Sequence, residues 1–170
     1  MKKFLNVILA LAVIAATLLS LTSCSEYKAR TENELTYYLP RDMEERSYPD
    51  IPIAYSNNEA TFVLIVWGRA ELADQWYLDE DFDIFTLTEK FIYYNGYGPE
   101  YEYDQERGIV TLNALATEYE GQTELDYFFN FIAVTDGYAY IVTMHCDEDL
   151  KDKYAPLFDE WASMFTVAGA

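Results

Sequence analysis

Residues 60–67 (Ala-Thr-Phe-Val-Leu-Ile-Val-Trp) are apolar on both faces of a strand. Side chains alternate along a strand, so Phe62, Leu64 and Val66 fall on one face and Val63, Ile65 and Trp67 on the other. A strand with two apolar faces belongs inside a sheet that is covered on both sides. That excludes a single-layer sheet with a wet face and an all-helical bundle. Asn57-Asn58 separates this strand from 53–56 and suits a tight hairpin turn.

The other elements are read outward from that strand. Residues 34–39 are β-rich and stop at Pro40, whereas 41–52 carry Pro49, Pro52 and several charges and read as a loop. Residues 68–82 read as loop with some helix. In 83–94 the apolar positions Ile84, Leu87, Phe91 and Tyr94 recur at helical spacing. Asp81 or Asp83 can cap the start of this helix, and Asn95-Gly96 can end it. Strands follow at 100–104, 109–117, 125–134 and 138–146, broken by Glu106-Arg107-Gly108, Glu120-Gly121 and Asp136-Gly137. A last helix shows one apolar face through Tyr154, Leu157, Phe158, Trp161 and Phe165. Pro156 lies within that pattern and lacks a backbone donor, which predicts a helix that begins around Ala155.

The first 24 residues are of another kind. Lys2-Lys3 precede an unbroken apolar run from Val7 to Ala16, and Leu21-Thr22-Ser23-Cys24 follows. This layout is an export leader, and its ending resembles the lipobox of bacterial lipoproteins. The resemblance implies cleavage before Cys24, acylation of that thiol, and anchoring in the bacterial cell envelope outside the cytoplasm. Asn6 and the polar end make a poor membrane span, which needs about 20 mainly apolar residues. The expected division is a leader at 1–23, a lipidated tether at 24–33 and one globular domain at 34–170.

Charge limits the partners. The chain carries a formal −19, and loss of Lys2 and Lys3 with the leader takes it to −21. Nucleic acid is excluded as a partner, since binding it requires Lys and Arg to displace counterions. With Cys24 acylated, Cys146 has no disulfide partner and the core must hold the domain unaided.

The order of elements resembles the PsbP/Mog1-like family. The points of likeness are Leu39-Pro40, the Tyr55-Ser56-Asn57 turn, residues 137–143, Tyr154-Ala155-Pro156-Leu157-Phe158 and Trp161-Ala162-Ser163-Met164-Phe165. The resemblance spans 34–167. It implies an α+β fold, an α/β/α sandwich around an antiparallel sheet of about six strands. It also implies a binding or assembly role, and brings no functional residues with it.

Few residues invite chemistry. His145 and Cys146 are adjacent on a strand, so their side chains point to opposite faces and cannot act together. No Gly-x-Ser-x-Gly, phosphate loop or dinucleotide fingerprint occurs. Carboxylates for a glycan hydrolase are too numerous to single out two. The chain therefore reads as non-enzymatic, with no cofactor required. Asp79, Asp81 and Asp83 alternate as an EF-hand loop begins, but Ile84 and Lys90 stand where that loop needs Gly and Glu. They remain candidates only for an irregular calcium site. Tyr93, Tyr94, Tyr97 and Tyr101, with Tyr103, crowd around Asn95-Gly96 and Gly98-Pro99. Tyrosines offer rigid amphipathic area suited to a peptide, glycan or envelope protein. Trp67 and Trp76 can extend that surface.

Overall fold

The computed structural model describes residues 26–48, 51–116 and 124–168. The leader, Cys24, Pro49 and the Glu120-Gly121 break lie outside the described residues. The elements are β1 (Tyr27–Glu32), β2 (Leu35–Pro40), β3 (Glu44–Tyr48), β4 (Ile51–Ser56), β5 (Ala60–Gly68), α1 (Arg69–Trp76), α2 (Ile84–Asn95), β6 (Glu102–Asp104), β7 (Ile109–Ala116), β8 (Asp126–Val134), β9 (Tyr138–Asp147), α3 (Lys151–Ser163) and β10 (Thr166–Val167).

Seven strands form one antiparallel sheet, in the order β3-β4-β5-β9-β8-β7-β6. A second small sheet has the order β1-β2-β10. The large sheet separates two cores. On one face Phe62, Phe131, Tyr140 and Val142 pack against Tyr154, Phe158 and Trp161 of α3 and against Leu35, Tyr37 and Leu39 of β2. On the other, Val110, Leu112, Ile132 and Ile141 pack against Leu72 of α1 and Leu87 and Phe91 of α2. The architecture is an α+β sandwich. One covering layer is α3 with the small sheet, and the other is α1 with α2.

The turns form by the chemistry expected of them. Asn57 Oδ1 accepts from the backbone N–H groups of Glu59 (2.9 Å) and Ala60 (2.8 Å), closing the β4–β5 hairpin. The Thr135 N–H donates to the Tyr138 carbonyl at 2.8 Å and closes β8–β9. Asp83, not Asp81, caps α2 by accepting from the Thr86 N–H at 2.8 Å. Gly96 ends α2 at φ +66°, a left-handed conformation that favours glycine.

Four expectations are corrected. Residues 27–32, read as tether, pair along their whole length with β2 as a strand of the fold. Residues 44–48, read as loop, form β3, an edge strand exposed throughout and held by β4. The last helix starts at Lys151 after a single 3-10 turn (Glu148–Leu150), placing Pro156 in its second turn. Finally, β5 is buried on one face only. Phe62 and Leu64 are inaccessible, whereas Val63, Ile65 and Trp67 are half-buried. The strands wrapped on both faces are β8 and β9.

Candidate functional site

The half-covered face of β5 is the floor of a groove. Helix α1 packs on β5 and β9, while α2 packs on β7 and β8. The two helices leave between them a cavity of about 430 Å³. Ile65, Trp67 and Ile141 form its floor. Gln75 and Trp76, at the end of α1, form one wall; Phe91, Tyr94 and Asn95, at the end of α2, form the other.

Local sequence sets this geometry. Arg69 anchors the start of α1: its backbone N–H donates to the Gly137 carbonyl at 3.0 Å, and its guanidinium donates to the carbonyls of Thr135 and Phe82. At the other end Tyr77 turns left-handed at φ +54° and stops the helix just after Trp76. Trp76 is therefore held at a helix terminus. Its ring meets Trp67 edge to face at 5.7 Å and Tyr94 edge to face at 5.2 Å. Tyr93 continues the series, 5.7 Å from Tyr94, and is 78 % exposed. Lys90 Nζ lies 5.5 Å from the centre of the Tyr94 ring. Asn95 Nδ2 donates to the Phe91 carbonyl at 2.8 Å, which fixes the amide at the groove margin.

The tyrosines singled out from sequence thus fall into two groups. Tyr93, Tyr94 and Trp76 come together at the groove. Tyr97 packs on Phe91 (5.7 Å) and Phe128 (6.0 Å), and burial pushes its phenol up to about 12. Tyr101 lies with Tyr103 against Phe85. Gly96 separates the groups, because the chain reverses there. Gln75 and Asn95 carried no sequence signal as groove residues. Their place follows from lying beside Trp76 and Tyr94 at the last turns of two helices.

Asp83 and His145, among the remaining candidates, have identifiable side-chain partners. Asp83 caps α2, and the Thr86 N–H and hydroxyl hold its carboxyl below the usual range. The Asp79 carbonyl accepts from the Phe82 N–H at 3.0 Å. Among the described residues no three His, Cys, Asp or Glu side chains are grouped to hold a metal ion. His145 stacks on Phe128 at 5.3 Å, on the face opposite the buried Cys146. A second cavity, about 220 Å³, lies between β6, β7 and α3 and includes Glu102, Arg107 and Asp159. Burial, and then the neighbouring Glu102, raise the Asp159 carboxyl above its ordinary value. Among the described residues no helix is long and apolar enough to cross a membrane.

A seven-stranded antiparallel sheet, covered by two helices on one face and by one helix and a small sheet on the other, defines a class of α+β sandwich. It is the PsbP/Mog1-like fold. The solution structure of cyanobacterial PsbP from Synechocystis sp. PCC 6803 is similar to this chain with a TM-score of 0.58, covering 84% of it and 92% of the PsbP chain at 12% identity. The Ran-binding protein Mog1p from Saccharomyces cerevisiae gives 0.53, with 84% and 96% covered at 10% identity. A point mutant of Mog1 gives 0.50, with 85% and 97% covered at 12% identity. No protein-family model matches the chain, and no curated protein is similar to it in sequence. The likeness is one of fold.

Proposed function

We propose that this chain is an extracytoplasmic lipoprotein, anchored to the bacterial cell envelope through acylated Cys24, whose domain binds a partner without transforming it. The binding half of this reading is carried by one observation: among the described residues, the groove is lined by aromatic, aliphatic and amide groups, with no carboxylate, imidazole, thiol or amine. General acid–base catalysis needs a group that exchanges protons near the working pH, and nucleophilic catalysis needs an activated nucleophile. Apart from the Tyr94 phenol, the described lining residues supply recognition surface and neither of those. A fold neighbour described as a Ran-binding protein shows that the same architecture serves binding elsewhere.

The membrane half is supported by the leader and by the short lead-in. Glu26 is already held, its carbonyl accepting from the Arg41 N–H at 3.1 Å. Cys24 then lies two residues from the folded domain, a reach of at most roughly 10 Å. Two acyl chains give stable attachment without a further membrane element.

The test has two arms. Cys24→Ser is expected to abolish palmitate labelling and move the chain from membranes to the soluble fraction. Tyr94→Ala is expected to abolish cross-linking to envelope components while leaving the circular dichroism spectrum intact. Membrane retention of Cys24→Ser, or unchanged cross-linking by Tyr94→Ala, overturns the corresponding half.

A second reading, a carboxylate-dependent glycan hydrolase, has one observation in its favour: Glu102 and Asp159 interact at the smaller cavity. It requires glycan hydrolysis by the full chain that Asp159→Asn removes.

A further inference from the structure

We infer that the occupant of the aromatic groove is a neutral carbohydrate chain. This rests on the binding reading above and names the ligand class for that site. Charge comes first. Among the described residues the groove lining has no charged side chain, in a protein of formal charge −19, and the nearest recorded charge is Lys90 over the Tyr94 ring. An anionic ligand is repelled by the field of such a surface. A cationic ligand would have to displace Lys90, whose ammonium already lies over the Tyr94 ring, and it meets no carboxylate among the described lining residues. A neutral ligand meets neither obstacle.

The wall chemistry narrows the class further. Trp76 meets Trp67 at 63° and Tyr94 at 70°, so the rings stand steeply to one another. An edge-to-face pair leaves ring faces available, although Lys90 takes one face of Tyr94, and such faces are slightly negative. The axial C–H groups of a pyranose pack on a ring face of this kind. Hydroxyl groups both donate and accept, and so do uncharged amides. Gln75 and Asn95 place amides beside the rings. Because Asn95 Nδ2 is committed to the Phe91 carbonyl, its Oδ1 is left to accept from a hydroxyl.

The floor argues against a peptide added as an extended strand. Extended peptides gain affinity by adding to a free strand edge. Both floor strands are interior: β5 pairs with β4 and β9, and β9 pairs with β5 and β8. No backbone edge is open beneath the groove. A volume of about 430 Å³ suits a few sugar units and is short for a helical ligand.

The test uses the full chain in detergent and its own tryptophans. Trp67 and Trp76 lie at the groove, while Trp161 is buried in the opposite core. Neutral hexasaccharides of glucose, N-acetylglucosamine and mannose are titrated, with hexaglutamate, hexalysine and a neutral aromatic hexapeptide as comparators. At least one saccharide is expected to give a saturating fluorescence change that is insensitive to salt. Trp76→Ala and Tyr94→Ala are each expected to weaken it about tenfold or more. Tyr48→Ala, which removes an exposed ring on β3 outside the groove, is expected to leave it unchanged. Tyr94 is half-exposed, so its variant serves even if Trp76→Ala fails to fold. Failure of every saccharide to bind overturns the inference. A peptide that binds with the same Tyr94 dependence overturns the carbohydrate and keeps the groove as a binding site. Saccharide binding indifferent to both variants removes the groove itself. A dimer that Tyr94→Ala dissolves makes a second copy the occupant.

Discussion

Cys146 and His145 are neighbours in sequence that the sheet keeps apart. His145 stacks on Phe128, while Cys146 points into the core around α3. Burial, and then the carboxylates of Asp147, Asp126 and Asp149, push the thiol up to about 11 from its usual 9.0. A thiol that stays protonated is a poor nucleophile. Tyr97 and Tyr127 are also pushed up, to about 12 from 10.0, chiefly by burial. All three groups raised above their unfolded values act in the same direction. Below pH 9 both states hold these protons and the groups contribute no slope. Above it the unfolded chain loses them first, so the native state binds more protons and stability falls as pH rises. Urea midpoints are therefore expected to decline between about pH 9 and pH 12. Cys146→Ala is expected to flatten the lower part of that window, whatever it does to the midpoint at pH 7. An equally steep decline in the variant would remove the thiol from this account.

At the scale of elements, one side chain ties the far end of the sheet to the last helix. Arg107, in the β6–β7 turn, donates to the Phe165 carbonyl at 3.0 Å and also to the Ala162 carbonyl. Ala162 lies in the last turn of α3, where a cation is favoured, and its carbonyl also accepts from the Phe165 N–H at 3.1 Å. Hydrogen bonds to charged groups contribute about 1.5–3 kcal/mol. Arg107→Met keeps the apolar stem and is expected to lose about 2 kcal/mol, read as a lower urea midpoint. Arg107→Lys, with one point charge for the fork, is expected to fall between. A midpoint unchanged in Arg107→Met would mean that the latch contributes nothing. No local pattern announced this tie, because its partners are 55 and 58 residues away. The same limit explains which elements could be read from sequence. Strands β8 and β9 and helix α2 declare themselves through long apolar runs and a capped period. β1 and β3 do not: Tyr-Lys-Ala-Arg-Thr-Glu alternates but is short and has few apolar residues, Glu-Glu-Arg-Ser-Tyr does not alternate, and their strand state comes from pairing with β2 and β4. α1 buries only Leu72 and Ala73, too little to mark a face. Pro156 misdirects because its lost donor is tolerated in a helix anchored by Tyr154, Phe158 and Trp161. At the groove, Trp76, Tyr93 and Tyr94 were legible as surface aromatics. That Gly96 turns Tyr97 back towards Phe91 and Phe128 was not.

The layers of the whole molecule set how an anchored domain would face the membrane. β1 begins at Tyr27, whose hydroxyl donates to Glu160 of α3 at 2.9 Å. The chain therefore enters the fold on the α3 layer, across the large sheet from the groove. Stacked layers are spaced roughly 10 Å apart, which puts the groove roughly 20 Å beyond the α3 layer. If Cys24 is acylated as proposed, only Ser25 separates it from the held Glu26, so that layer would stay near the bilayer and the groove would open away from it. The arrangement is testable with the full chain in phosphatidylglycerol-containing vesicles. Cys146 is buried and poorly reactive, and an acylated Cys24 is blocked, so a fluorophore can be placed at Asp152→Cys on α3 or Tyr93→Cys beside the groove. Both positions are exposed. Headgroup-labelled quencher lipid is expected to quench the first more strongly than the second. α3 also presents Asp159 and Glu160, which anionic lipid repels, so added salt is expected to draw the α3 probe closer. A flexible insert between Ser25 and Glu26 is expected to erase the difference, because the layer is held near the bilayer only by the shortness of its link. Equal quenching at the two positions without the insert would mean that the domain tumbles freely and its groove has no fixed outlook.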